Sequence, residues 1–194
     1  MMLTDRGVTV FCSSSNAVAP VYRAAAAELG RVLVARGAVI VYGGGSVGLM
    51  GVLADAGLAA GGRVVGVIPR QLVAAEIAHA GLTEQIVVET MHERKAIMSE
   101  RAAGYVILPG GFGTYEEFFE VVTWKQLGMH DKPIVLLNVE GFFDPLLGQI
   151  ERAVAERMIK PEYAGLIAVR RTVEQVIGYL EAYEPVPMRE QKWF

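Results

Sequence analysis

The chain has 194 residues, 53% of them hydrophobic and 20% charged, with 22 glycines, a single cysteine and a formal net charge of −3. That length buries a substantial core without disulfides or metals, and that composition excludes a disordered chain. The mild negative charge supplies no basic field for nucleic acid, and no stretch approaches the ~20 apolar residues of a membrane-spanning helix.

In chain order, short Val- and Ile-rich runs alternate with longer segments of helical period. "VTVF" is followed by "VYRAAAAELGRVLVAR" and "AVIVY" by "VGLMGVLADAGLAA", and the next apolar run is "RVVGVI". "QIVVE" then precedes the helical "MHERKAIMSERAA", "YVILP" precedes "YEEFFEVVTWKQL", and "PIVLLN" precedes "FFDPLLGQIERAVAER". This βαβ rhythm, with continuous rather than alternating apolar strands, predicts a parallel sheet covered on both faces. The fold expected is α/β: a Rossmann-like, doubly wound sheet of about six or seven strands. A last strand near "LIAV" leads to Thr172, Val173, Glu174 and Gln175, a capping-box signature for the C-terminal helix. One catalytic domain is expected over residues 1–184, with 185–194 as a tail. Cys12 has no internal disulfide partner and nothing at the N-terminus reads as a leader, so a cytoplasmic protein is expected.

Ligands of open parallel sheets bind beyond the carboxyl ends of the strands, which selects the loops "CSSSN", "GGGSVG", "PRQLVAAE" and "PGGFGT". The second satisfies the dinucleotide pattern G-x-G-x-x-G, yet the acid that should follow about 20 residues later is missing, with Arg63 and Arg70 in that region. That disfavours a nicotinamide enzyme and leaves a tight packing turn, or a mononucleotide wall that includes Gly44 and Gly45. "PGGFGT" is the better phosphate cradle: Gly110, Gly111 and Gly113 can take positive φ and bring N–H groups to an oxyanion, and Thr114 adds a hydroxyl.

Thr114 also reads as an N-cap with Glu117 at N3 of a capping box. An acid among helix N-terminal N–H groups is expected to stay ionised, ready to accept a proton or to stabilise a cation. Met91, Arg94, Lys95 and Met98 share one helical face, so two cations project together between thioethers. The alternative is a solvated charged turn. Ser13, Ser14 and Ser15 are either ligand contacts or ordinary loop residues. His79, His92 and His130 have no metal-ligand spacing with one another or with Cys12, so no zinc site is expected.

Taken together, "PGGFGTYEE" and "MHERKAIM" resemble the LOG (Lonely guy) family of cytokinin-activating phosphoribohydrolases, long labelled lysine decarboxylases. The resemblance runs from "VFCSSSN" through "TWKQLGMHDKPIVLLNVEGFFDPLL". It implies hydrolysis of the N-glycosidic bond of a nucleoside 5′-monophosphate, a cytokinin riboside monophosphate and also AMP, releasing base and ribose 5-phosphate. It places the catalytic roles on Arg94 and Glu117. Substrate contacts would come from Gly110, Gly111, Gly113, Thr114, Met91, Lys95, Gly44, Gly45 and Ser14. Many relatives read C-G-S where this chain has Cys12, Ser13 and Ser14. The resemblance also implies a homodimer with the active site near the interface, for which "FFEVVTWKQL" is a candidate contact helix. A non-catalytic nucleotide or molybdenum-cofactor carrier on the same scaffold is the competing reading; retention of both Arg94 and Glu117 favours the enzyme.

Overall fold

In the computed structural model, which describes residues 3–74 and 77–185, one parallel sheet runs in the order β4-β3-β2-β1-β5-β6-β7. Its strands are β1 (Gly7–Phe11), β2 (Val39–Tyr42), β3 (Val64–Pro69), β4 (Glu84–Val88), β5 (Ala102–Ile107), β6 (Ile134–Leu137) and β7 (Ala168–Arg170). The helices are α1 (Pro20–Ala35), α2 (Gly48–Ala59), α3 (Arg70–Ala74), α4 (Met91–Glu100), α5 (Phe112–Gln126), α6 (Asp144–Ala155) and α7 (Val173–Ala182). The tail expected from residue 185 lies, from residue 186 onward, outside the described residues.

Successive strand residues point to opposite faces, and both faces are buried, which is why the strands read as unbroken apolar runs. Val8, Val10, Ile40, Tyr42, Val106 and Val135 pack with Leu29 and Leu33 of α1, Leu49 and Leu53 of α2 and Val176 of α7. Val41, Val65, Val67, Tyr105, Ile107 and Leu136 pack with Met98 of α4 and with Phe118 and Val121 of α5. Met98 is thus core, not a companion of Arg94 at the surface. The edge strands are the exceptions: β4 alternates half-buried and exposed positions before Val88, and β7 is half-buried throughout.

Three local expectations are corrected. The helix read through Ala103 ends at Glu100, and Ala102 already pairs with Gly7 of β1. Sheet pairing overrides alanine's helix preference there, because β1 meets the helix end so closely that a Cβ on Gly7 would lie 2.0 Å from the Arg101 carbonyl oxygen. The segment "PRQLVAAE" is not wholly loop but contains the short helix α3. At α7, Thr172 caps the Gln175 N–H as expected (3.2 Å), but the Gln175 side chain accepts from the Arg171 N–H instead of closing the box.

A cap that the sequence reading passed over holds α4. The Thr90 hydroxyl accepts from the Glu93 N–H (3.1 Å), and the Glu93 carboxylate accepts from the N–H groups of Glu89 (2.8 Å) and Thr90 (3.3 Å). At the other end, the buried Thr9 hydroxyl donates to the Met98 carbonyl (2.8 Å) and Lys132 donates to the Ser99 carbonyl (2.6 Å). Carbonyls left over at the helix end are satisfied from β1 and from the loop before β6, so α4 is fixed at both ends. Thr90→Ala should lower stability by about 1 kcal/mol, or roughly 2–4 °C in a thermal melt, with Thr90→Ser close to the parent. An unchanged midpoint for the alanine variant would show that the box adds nothing.

Candidate active site

The sheet order reverses between β1 and β5, since connections from β1 proceed toward β4 and those from β5 toward β7. The loops leaving these strands diverge to opposite faces and open a crevice at their carboxyl ends. They stay joined at its floor: the Leu108 N–H donates to the Phe11 carbonyl (2.9 Å) and the Ser13 N–H to that of Pro109 (3.2 Å). Helix α4 returns from edge strand β4 to central strand β5 and brings its cations to this crevice.

Arg94 and Glu117 meet there, each almost fully buried at 8% and 7% exposure. Arg94 Nη1 lies 2.9 Å from Glu117 Oε1, and Arg94 Nε donates to the Val67 carbonyl within β3 (3.1 Å). The guanidinium occupies space that a side chain after β2 would fill, because a Cβ on Gly43 would lie 2.0 Å from Nη2. Gly43 was missed by the sequence reading; the only signal was its place first in the glycine run. Gly44 and Gly45, which were named, are buried, and their carbonyls accept from the His79 N–H (3.0 Å) and the Tyr42 hydroxyl (3.2 Å). Met91 is exposed, with its sulfur 4.0 Å from Arg94 Nη1.

The capping box assigned to Thr114 and Glu117 is not formed. Helix α5 starts earlier, with Gly111 as N-cap in an extended conformation (φ −99°, ψ −155°). Thr114 is therefore at N3 and buried, and a Cβ on Gly110 would lie 2.1 Å from its hydroxyl oxygen. Glu117 sits one turn farther on. None of Gly110, Gly111 and Gly113 uses a positive φ, contrary to expectation. Added Cβ atoms at Gly111 and Gly113 would meet nothing within 4 Å. Neither backbone strain nor internal packing asks for glycine there, so the bare backbone is left open to the crevice.

The two glycine loops differ in what their N–H groups do. At α2 they are taken by the chain itself: Ser46 donates to the Ile77 carbonyl (2.7 Å), Gly48 to Asn16 Oδ1 (2.9 Å) and Leu49 to the Ser13 carbonyl (2.9 Å). At α5 the first helical bond runs from Tyr115 N–H to the Gly111 carbonyl, which leaves the N–H groups of Phe112, Gly113 and Thr114 without a partner in the helix. The α5 terminus is the one suited to an anion.

The expectation that Glu117 stays fully ionised is also corrected. Burial pushes its carboxyl up to about 7, against the opposing pull of Arg94. Helix N–H groups do not hold it down because it lies beyond the first turn. A carboxyl half-ionised near neutrality can exchange protons with water at little energetic penalty. Lys95 is buried too and pairs with Glu116 and with Glu120 (2.9 Å), so the solvated-turn alternative fails for both cations of α4. Ser14 lies exposed on the loop after β1, while Cys12 is buried beneath the site, its thiol pushed up by burial and by the charge of Glu117. Among the described residues no three His, Cys, Asp or Glu side chains cluster as metal ligands.

The family model described as "Possible lysine decarboxylase" matches residues 50–180. The chain is 47% identical over 180 residues, 93% of its length and 74% of the relative's, to the probable cytokinin riboside 5′-monophosphate phosphoribohydrolase LOGL2 of Oryza sativa subsp. japonica. It is 46% identical over 179 residues, 92% of its length and 78% of the relative's, to cytokinin riboside 5′-monophosphate phosphoribohydrolase LOG5 of Arabidopsis thaliana. Among solved structures, the molybdenum cofactor carrier protein of Chlamydomonas reinhardtii superposes with a TM-score of 0.70 at 23% identity, covering 91% of this chain and 96% of that one. That likeness establishes the fold alone.

Gly43→Ala should leave the sheet intact while displacing the Arg94 side chain, at about 1–3 kcal/mol of stability. A crystal structure of the variant in which Arg94 still bonds both Val67 and Glu117, with unchanged stability, would contradict the steric argument.

Proposed function

This chain belongs to the family of the cytokinin riboside 5′-monophosphate phosphoribohydrolases, and from that premise we propose that it hydrolyses the N-glycosidic bond of such nucleotides, and of AMP, at the crevice between β1 and β5. The observation that carries the assignment to this site is the buried Arg94–Glu117 pair beside an open helix N-terminus. A carrier needs a cradle for phosphate; it has no use for a half-ionised carboxyl held against a guanidinium.

The 5′-phosphate sits at the start of α5, where the N–H groups of Phe112, Gly113 and Thr114 and the positive end of the helix dipole favour an anion. Glycines 111 and 113 let it approach the backbone. As the C1′–N bond breaks, its electron pair leaves with the base and positive charge grows on the ribose, where the Glu117 carboxylate stabilises it. A water oxygen bonds to C1′, Glu117 takes the water's proton, and that proton passes on to the departing base, which restores the carboxylate. Arg94 keeps enough of Glu117 ionised for this in a pocket whose burial opposes ionisation.

The working unit is a cytoplasmic homodimer with its sites near the interface. Exposed Met91 on α4 and exposed Phe112 and Phe119 on α5 support the interface, since they place apolar surface around the crevice. No helix of the described residues is long and apolar enough to cross a membrane.

Incubation with isopentenyladenosine 5′-monophosphate or AMP, followed by chromatography, should release free base and ribose 5-phosphate, and Glu117→Gln should slow release by about 10³-fold or more. Nucleotide binding without release by the parent protein would transfer the assignment to a carrier.

A further inference from the structure

Lys95 is the other buried cation of α4, and its surroundings assign it work different from substrate binding. Its side chain is 8% exposed, and its ammonium lies between two carboxylates of α5, Glu116 and Glu120, which are one helical turn apart on the same face. These contacts run parallel to the Arg94–Glu117 bridge and join the same two helices. Glu116 and Glu117 are neighbours in sequence but turn to different cations, so the two bridges fix both the spacing and the rotation of α5 against α4.

We propose that Lys95, clamped between Glu116 and Glu120, is a positioning residue that sets the orientation and the charge of Glu117 in the proposed hydrolysis, and is not a ligand of the substrate. The inference rests on the functional reading above. An ammonium that already contacts two carboxylates has little left for a phosphate, and moving it would leave both acids of α5 unneutralised next to Glu117.

The charged and titratable groups that act on Glu117 are Arg94 and Lys95 from α4, Glu116 from its own helix, and Cys12 from the loop after β1, while Glu120 is held on Lys95. Lys95 and Arg94 favour its carboxylate, whereas Glu116 opposes it. Lys95 itself, despite burial that pulls the other way, is held in its charged form by hydrogen bonds to Glu116 and Glu120. Removing the lysine charge must therefore raise the proton affinity of Glu117, and removing the Glu116 charge must lower it. Because the carboxylate is the active form, these changes move the acid limb of the rate profile in opposite directions.

The test compares Lys95→Met, Lys95→Arg and Glu116→Gln with the parent protein, using kcat and KM for base release from AMP between pH 5 and about 9, bracketing the region where Glu117 titrates. In parallel, the Glu117 carboxyl is titrated by ¹³C NMR without substrate, its resonance assigned by its loss in Glu117→Gln. Lys95→Met should shift the acid limb and the NMR titration upward by about one pH unit and lower kcat at pH 7 several-fold, with Lys95→Arg close to the parent. Glu116→Gln, at a half-exposed position tolerant of change, should shift both downward. A rise in KM for Lys95→Met with no movement of either titration would make Lys95 a substrate ligand and overturn the proposal. Absence of base release by the parent protein sinks the hydrolase reading separately, and the NMR shifts then still decide whether Lys95 governs Glu117.

Discussion

The buried ion pair between Arg94 and Glu117 is the constraint around which the rest of this molecule is arranged. Removing two charges from water is expensive, and their attraction offsets the penalty only where geometry is good and the remaining donors are satisfied. The satisfying partner is the Val67 carbonyl, the room is made by Gly43, and the approach of the two helices is fixed by the Thr90 box, the Thr9 and Lys132 bonds to the end of α4, and the Lys95 clamp. Loss of any one leaves a buried charge less well compensated. Compensation is incomplete even so, as Glu117 rises from 4.5 to about 7 on burial. A carboxyl whose folded value lies above its unfolded one stabilises the fold fully at low pH and ceases to do so as pH rises through about 7. The site thus surrenders stability in the pH range where its carboxylate forms, a compromise that fits the catalytic role proposed for Glu117.

The scaffold was largely legible from sequence. A doubly covered parallel sheet needs apolar residues on both faces of every central strand, and that requirement writes itself as runs such as "VIVY" and "IVLL" between helical segments. Boundaries were less legible where propensity and pairing compete. Ala102 and Ala103 look helical on their own, and only the presence of β1 alongside converts them to strand. The reversal of strand order, which locates the crevice, depends on which strand lies next to β1, and no local pattern encodes that.

At the site, motifs singled out Arg94 and Glu117, which the fold brings together, but their environment was not legible. The sequence suggested a helix cap for Glu117 and a low proton affinity; burial gives the reverse. The reason for glycine at position 43 was not legible, because it is the guanidinium of Arg94, 51 residues later in the chain. Glu120 carried a weaker signal, its i, i+4 spacing from Glu116, which could have marked both as partners for one cation. The superposition at 23% identity establishes the fold alone, and a fold does not decide the chemistry of the site built on it.

The most direct measurement of the central claim is a double-mutant cycle on unfolding free energy with Arg94→Met, Glu117→Gln and the combined variant, in urea at neutral pH. If the pair is a compensated buried ion pair, Arg94→Met should lose about 3 kcal/mol or more, and the double variant should recover much of that, giving a coupling of about 2 kcal/mol. Additive losses, with the double variant equal to the sum of the singles, would mean that the two side chains do not depend on each other and that the fold is not organised around them.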